Sequence, residues 1–229
     1  MDGSSSGIYF TLATTQPDHF VLYLQGGGWC NDQKSCESRC GTRKNGKCSG
    51  GLATSTVWAN TQYLAGLFST SANKTALPGA NKAYLRYCTG DAHMGNRDAS
   101  AASFGFNFHG SRTVAAALSL LVNEHGLGSK PGQTLLFGGE LTATAAAAHH
   151  TQRHQSFPEW QRKPARKDGV ATFPPQRTAR CWHKSQVLTA SPGGSAGGRG
   201  AMANLDYLPG LLSDMNVASA PRVLGFPDS

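Results

Sequence analysis

The stretch Gly193-Gly194-Ser195-Ala196-Gly197-Gly198 decides the fold that this sequence predicts. It places glycine two residues before and two residues after a serine, the pattern of a nucleophilic serine on a sharp strand-to-helix turn. Such a turn needs small neighbours, because it leaves no room for side chains and the next backbone N–H must face the reacting oxygen. A glycine-rich loop can match this pattern by chance, so the motif needs a second element elsewhere in the chain.

A second glycine stretch, far upstream, supplies that element. The short apolar run His19 to Leu24 predicts a buried strand, and it ends abruptly in Gln25-Gly26-Gly27-Gly28-Trp29-Cys30. Three glycines after a buried strand let the backbone approach a ligand and turn consecutive N–H groups towards it. In α/β-hydrolases this position holds the first half of the oxyanion hole. Together with Ser195, it favours an oxyanion hole over a plain flexible turn.

The remaining apolar patterns predict an α/β chain. Strands are expected at 8–12, 83–88 and 133–137, and helices at 56–69 and 112–124. The order strand, glycine loop, strand, helix, strand is typical of a chain that builds a parallel sheet. We therefore predict an α/β-hydrolase-like, mostly parallel sheet that is incomplete at both ends of this chain.

Polar residues follow the strand predicted at 83–88, in Thr89-Gly90-Asp91-Ala92-His93. Open α/β sheets bind ligands at the carboxyl edge of their strands, so Asp91 and His93 are possible substrate-edge residues. His93 could serve as a catalytic base. We favour a substrate-contact or loop-structuring role for it.

The charge of the chain is concentrated in one segment. Residues 140–192 hold eight Lys or Arg and three Asp or Glu, so they carry +5 of the net charge of +8. This segment lacks helical or strand periodicity, and we predict a basic insertion of low order. Contact with a polyanion is the alternative, but the basic pairs are interleaved with Pro and Gly, and we predict no nucleic-acid partner. His149, His150 and His154 lack further ligands at useful spacing, so we predict no metal site.

The borders of this segment suggest how it arose. Gly138-Gly139 stands before it and Gly193-Gly194 after it. Removing the segment with one glycine pair joins the strand at 133–137 directly to the Ser195 turn, as the geometry of that turn requires. We therefore divide the chain into 1–139, 140–192 and 193–229, and our hypothesis is that 140–192 is translated intron or a recent insertion.

Four of the six cysteines, Cys30, Cys36, Cys40 and Cys48, lie in or beside one loop at 31–51. Their spacings are not the close pairs typical of zinc sites, so disulfides are the better interpretation, with the pairing left open. Apolar runs of about 18 residues are absent, so no membrane span is predicted. The first residues show no signal-peptide pattern.

With both glycine elements placed, the sequence resembles the pectin acetylesterase family, which comprises pectinacetylesterases and Notum carboxylesterases. The resemblance rests on five pieces in family order: Met1-Asp2-Gly3-Ser4-Ser5, Leu24–Asn31, Tyr87–Gly95, Phe108–Arg112, and Ser195-Ala196-Gly197-Gly198 with Asn204-Leu205-Asp206. The resemblance implies a secreted serine esterase without metal or cofactor, which hydrolyses O-acetyl esters of a cell-wall polysaccharide through an acyl-serine. Ser195 matches the family nucleophile.

The same resemblance implies further roles. The oxyanion hole would use backbone N–H groups from this set: Gly27, Gly28, Trp29 and Ala196. Cys30 and Cys88 match family cysteines that form disulfides. The oligomeric state stays open.

One departure from the family limits the expected activity. The family's acid and histidine follow the nucleophile, but no histidine follows Ser195 here. A serine without a general base is a poor nucleophile, so we expect this chain to be a fragment with little activity. The alternatives are a catalytically inactive binding protein of the same fold, and a carboxylesterase that acts on lipid esters.

Overall fold

In the computed structural model, residues 1–140 and 195–228 are described, and they build a five-stranded mixed sheet. The chain order, with the two short 3₁₀ turns left out, is β1 (Ile8–Thr11), β2 (Gln16–Leu24), α1 (Gln33–Cys40), β3 (Arg43–Lys44), β4 (Lys47–Cys48), β5 (Ala80–Leu85), α2 (Gly110–Asn123), β6 (Thr134–Glu140), α3 (Ala196–Leu205), α4 (Leu208–Asp214) and β7 (Arg222–Asp228).

The spatial order of the main sheet is β1-β5-β2-β6-β7. Strand β1 is antiparallel to β5, and the other three pairings are parallel. The prediction of a mostly parallel α/β sheet is therefore confirmed. In register, Leu24 pairs with Leu85 on β5 and with Gly139 on β6. The carboxyl ends of these three central strands thus meet at one edge of the sheet. The glycine loop begins at this edge, and Ser195 lies beside it.

The two faces of the sheet are covered differently. On one face, Phe20, Leu22 and Leu24 of β2 pack with apolar residues of α2, α3 and α4. On the other face, Val21 and Tyr23 pack with residues of an irregular segment, 64–77. The alternation along β2 follows from the two-residue period of a strand and buries both of its faces.

The helix predicted at 56–69 is wrong. This region is irregular apart from a short 3₁₀ turn at Gly66–Phe68. Gly66 has a φ of +61°, a left-handed conformation that a continuous right-handed helix cannot contain. Its apolar residues Leu64, Leu67 and Phe68 cover the second face of the sheet instead.

The cysteine-rich region is more regular than predicted. It contains helix α1 and the hairpin β3–β4, with disulfides Cys30–Cys36 and Cys40–Cys48. The prediction that these four cysteines form disulfides is confirmed, and the structure gives their pairing.

The disulfide expected at Cys88 has no partner within the described part of the chain, where its thiol is free and buried. The four cysteines of the 30–48 region are already paired with one another, so none of them is available to Cys88.

Residues 141–194 lie outside the described residues. This range contains the predicted insertion, apart from Glu140, and the histidines His149, His150 and His154. The chain segments on either side of that range meet in space. A Cβ on Gly139 would lie 2.3 Å from the carbonyl oxygen of Gly197, and one on Gly197 would lie 2.8 Å from the Glu140 nitrogen. The end of β6 and the start of α3 are thus in direct contact. Among the described helices, none is long and apolar enough to span a membrane.

Candidate active site

Ser195 stands at the amino end of helix α3, at the carboxyl edge of the central strands. It is the N-cap residue, with an extended backbone (φ −60°, ψ 151°), and the helix begins at Ala196. Its residue surface is 3% exposed, and its hydroxyl has no hydrogen-bond partner among the described residues. Buried hydroxyls are normally hydrogen-bonded. An unpaired hydroxyl beside the glycine loop is therefore a feature of a reactive site.

The glycines after Ser195 allow α3 to approach the sheet. A Cβ on Gly197 would lie 2.2 Å from the Leu24 carbonyl oxygen, and one on Gly200 would lie 2.6 Å from the Ala92 carbonyl oxygen. Any side chain at either position would push the helix away from β2 and from the 89–95 loop. The glycine spacing that marks this motif in the sequence therefore has a steric cause.

The glycine loop after β2 lies directly against Ser195. A Cβ on Gly26 would fall 1.8 Å from the Ser195 Oγ. Gly27 and Gly28 have φ values of +132° and +66°, which other residues rarely adopt. Hydrogen bonds hold the loop on both sides, from the Gln25 N–H to the Leu85 carbonyl and from the Cys30 N–H to the Gly90 carbonyl.

Between these anchors the Gly26 N–H donates to the Glu140 side chain, and the next three N–H groups are left unused in the described part of the chain. Within the described residues, the N–H groups of Gly27, Gly28 and Trp29 donate no backbone hydrogen bond. The N–H of Ala196, in the first turn of α3, has no acceptor within its own helix. The loop that carries Gly27, Gly28 and Trp29 thus meets Ser195 at Gly26, and Ala196 follows Ser195 directly.

Three side-chain contacts hold the loop in place, one from Arg39 outside it and two from its own end residues, Gln25 and Cys30. Arg39 of α1 donates from Nη2 to the Gly27 carbonyl at 2.8 Å. Gln25 accepts the Tyr87 N–H through its side chain at 3.0 Å, and Cys30 is bonded to Cys36. Sequence reasoning missed Arg39, although the helix start could have been found, since Asp32 and Ser35 form a capping box.

Asp91 organises the loop behind the site. Its carboxylate accepts hydrogen bonds from the Thr89 hydroxyl at 2.6 Å and from the His93 N–H at 3.0 Å. It also accepts from the Gly95 N–H at 3.1 Å and from the Gly110 N–H at 2.7 Å, so it connects the loop to the start of α2. All these contacts are within the protein, and they give Asp91 a structural position at the sheet edge.

His93 lies beneath the glycine loop. It is 1% exposed, and its Nε2 lies 2.9 Å from the Gln25 carbonyl oxygen. A carbonyl only accepts, so Nε2 carries the proton and Nδ1 is bare, without a partner in the described part of the chain. Burial lowers the pKa of this imidazole, and the ring is therefore neutral. These contacts favour the loop-structuring interpretation of His93 over that of a base for Ser195.

Glu140 contributes a carboxylate that sequence reasoning did not place in the site. Its Oε2 accepts the Gly26 N–H at 3.1 Å and lies 2.7 Å from the position of a Cβ on Gly26. Ser195 Oγ and this carboxylate therefore share one small space beside the glycine loop.

Comparison with known proteins assigns the chain to a protein family. A family model described as pectinacetylesterase matches residues 1–168, which is more than half of the sequence. The chain belongs to the pectinacetylesterase family. The match includes the glycine loop and the Asp91–His93 loop, and it ends before Ser195.

Relatives of this pectinacetylesterase-family chain include two kinds of esterase. The palmitoleoyl-protein carboxylesterase NOTUM of Schmidtea mediterranea is 30% identical over 129 residues, which cover 54% of this chain and 23% of that protein. Pectin acetylesterase 7 of Arabidopsis thaliana is 27% identical over 156 residues, which cover 66% of this chain and 36% of that protein.

A solved structure supports the same fold. The Wnt deacylase Notum from Drosophila, in its second crystal form, has a TM-score of 0.54 and 27% sequence identity. The similarity covers 63% of this chain and 40% of that one. This member of the pectinacetylesterase family thus spans well under half the length of these relatives.

Proposed function

We propose that the protein is a serine carboxylesterase that hydrolyses O-acetyl esters of a cell-wall polysaccharide, with Ser195 as the nucleophile. The observation that carries the proposal is the buried, unpartnered Ser195 hydroxyl at the start of α3, next to a loop with unused N–H groups. A nucleophile beside preorganised donors is the arrangement that acyl transfer requires.

The reaction would proceed in two steps. The Ser195 Oγ attacks the ester carbonyl carbon, its proton passes to a base, and the carbonyl oxygen becomes an oxyanion. The N–H groups of Gly28, Trp29 and Ala196 stabilise that charge, helped by the positive amino end of α3. The sugar hydroxyl then leaves with a proton, and water hydrolyses the acetyl-serine to acetate and free enzyme.

No base contacts the Ser195 hydroxyl within the described residues, and the nearby Glu140 carboxylate accepts the Gly26 N–H. Within them, the Ser195 Oγ has no hydrogen-bond partner, and His93 is turned to the Gln25 carbonyl. An added small base such as imidazole should therefore substitute for the missing group, as a positioned base contributes about 10²–10⁴-fold to such reactions.

Hydrogen-bonding side chains in the adjoining cavity favour a sugar ester over a lipid ester. A cavity of about 400 Å³ beside the glycine loop is lined by Trp29, Ser35, Ser38, Arg39 and Leu52, among others. Two hydroxyls and a guanidinium can hydrogen-bond to a carbohydrate, whereas an acyl chain in the cavity would leave them unpaired.

We also propose that the protein is secreted. Two disulfides are typical of oxidising compartments. The glycosylation sequon Asn73-Lys74-Thr75 lies in a turn with Asn73 exposed. Both features fit an extracellular polysaccharide substrate.

The substrate proposal predicts preferential release of acetate from acetylated pectin, compared with fatty acid from a long-chain ester of the same alcohol. The chain is assayed with and without imidazole, and only the imidazole-promoted rate is compared. Faster cleavage of the long-chain ester would show the lipid-ester specialisation instead. Binding of the polysaccharide without any hydrolysis, even with imidazole, would show an inactive binding protein.

We further propose that residues 140–192 interrupt an otherwise continuous strand-to-helix turn. The contact between Gly139 and Gly197 supports this, since the two segments already meet. Deleting residues 140–194, which joins Gly139 to Ser195, should stabilise the fold. Closing a loop of about fifty residues costs about 3.5 kcal/mol of chain entropy, so the melting temperature should rise by about 7–14 °C.

The control for this deletion replaces the same residues, 140–194, with a Gly/Ser linker of equal length; it also lacks Glu140, and it should melt below the deletion variant. A deletion variant that melts below the parent would show that the segment contributes to the fold. The origin of the segment is tested separately by sequencing the transcript across Phe137 to Ser195. A mature message that retains the segment would overturn the intron version of the hypothesis.

A further inference from the structure

We infer that Arg39 and Arg199, on two sides of the glycine loop, bind an anionic group on the sugar next to the scissile ester. The group is a carboxylate or a sulfate, since both present oxygen acceptors to a guanidinium. The inference rests on the proposed function, because it concerns the substrate of the same site. It adds the residues that would select a charged polysaccharide over a neutral one.

Arg39 has hydrogen-bonding capacity that the described residues do not use. Its Nη2 donates to the Gly27 carbonyl, and its guanidinium lies over the Tyr87 ring at 5.7 Å. The Nε and Nη1 atoms are buried and have no partner among the described residues. A buried donor without a partner costs free energy, and such cases often mark a place where a ligand, ion or water binds. Arg39 also lines the cavity of about 400 Å³ beside Trp29.

Arg199 approaches the same loop from helix α3, whereas Arg39 approaches it from helix α1. It lies one helical turn after Ser195 on α3, with its N–H donating to the Ser195 carbonyl at 3.2 Å. Its guanidinium stands 4.4 Å from the centre of the Trp29 ring. Trp29 itself is 39% exposed. A half-exposed indole next to a cation is suited to stack on a sugar ring while the cation contacts its charged substituent.

Neither charge is compensated within the described residues. The ion pairs there involve Asp98 with His109 and Arg112, and they lie elsewhere in the fold. Arg39 and Arg199 thus place two positive charges around the Gly27–Trp29 loop without a carboxylate ion-pair partner in that part of the chain. Glu140, on the Gly26 side of the site, accepts the Gly26 N–H instead. An anion bound near Trp29 would supply the missing counter-charge.

A binding experiment tests the inference without relying on turnover. The Ser195→Ala variant is titrated with three oligosaccharides of equal length: an unesterified oligouronide, a sulfated oligosaccharide and a neutral one. We expect binding of at least one anionic ligand, at least about 10-fold tighter than that of the neutral ligand, and weakening as salt is raised. The anionic ligand that binds more tightly shows whether the site prefers a carboxylate or a sulfate.

Two substitutions in this background assign the binding to the named residues. Arg39→Gln removes the guanidinium but keeps a polar side chain, and Arg199→Gln removes a guanidinium that makes no hydrogen bond in the described part of the chain. Each should weaken binding of the anionic ligand by about 10-fold. The control is Arg222→Gln, an exposed residue at the opposite, amino end of β7, which should change binding less than 2-fold.

The outcomes separate the inference from the proposed function. Equal binding of neutral and anionic ligands, or full anion binding in both Arg→Gln variants, would overturn the anion site. If Arg39→Gln melts much earlier than the parent, Arg199→Gln alone decides. Hydrolysis of a small neutral acetyl ester is measured separately with Ser195 intact. Arginine-dependent binding without that hydrolysis would support the anion site and count against the esterase.

Discussion

Replacing Ser195 with alanine is expected to lower imidazole-promoted acetyl-ester hydrolysis by at least about 100-fold, to the rate with free imidazole alone. The hydroxyl is the group that forms the acyl intermediate, and the neighbouring N–H groups cannot replace it. The measurement is the initial rate of acetate release. A second readout is the mass of the peptide that contains Ser195, which should carry one acetyl group in the parent and none in the variant.

The matched control for this substitution is Ser213→Ala. Ser213 is exposed on α4, and removing its hydroxyl should leave both the rate and the acetylated peptide unchanged. Continued acetylation in the Ser195→Ala variant would point to another nucleophile. The Glu140 carboxylate, which shares the space beside Gly26, is then the first group to substitute.

The parts of the structure that local patterns encode were predictable. Strand β2 and its glycine loop follow from an apolar run that stops at three glycines, and helix α2 follows from the apolar period of residues 112–124. The Ser195 turn was predictable because its small residues are required by contacts of α3 with the sheet. Each of these signals lies within about a dozen residues of sequence.

The parts that depend on distant contacts were not predictable. The segment at 56–69 has helix-like apolar residues, but its contacts with the second face of the sheet and Gly66 determine its irregular path. The position of His93 also depends on distant groups, since the Gln25 carbonyl binds its Nε2 and the Asn204 side chain binds its carbonyl. The local sequence of a histidine after a strand is the same whether its side chain faces a substrate or a backbone carbonyl, so the sequence does not distinguish the two.

Replacing Gly26 with alanine should reduce the Ser195-dependent rate by about 100-fold or more. The new Cβ would lie 1.8 Å from the Ser195 Oγ and 2.7 Å from the Glu140 Oε2, distances that no packed structure tolerates. Gly26 is not among the glycines with positive φ, so alanine can adopt its backbone conformation and the effect is steric. Either the serine or the loop must move, and a displacement of about 1 Å between reacting groups can cost about 10² in rate.

Stability measurements separate this effect on the site from an effect on the fold. Overpacking costs about 1–3 kcal/mol, so Gly26→Ala should melt a few degrees lower but remain folded. Gly7→Ala is the matched control, because a Cβ on Gly7 meets nothing within 4 Å, and it should change neither rate nor melting temperature. A folded Gly26→Ala variant with the parent rate would contradict the site described above. It would mean that the Ser195 hydroxyl reacts from a position away from the glycine loop, and that the loop's free N–H groups do not stabilise the oxyanion.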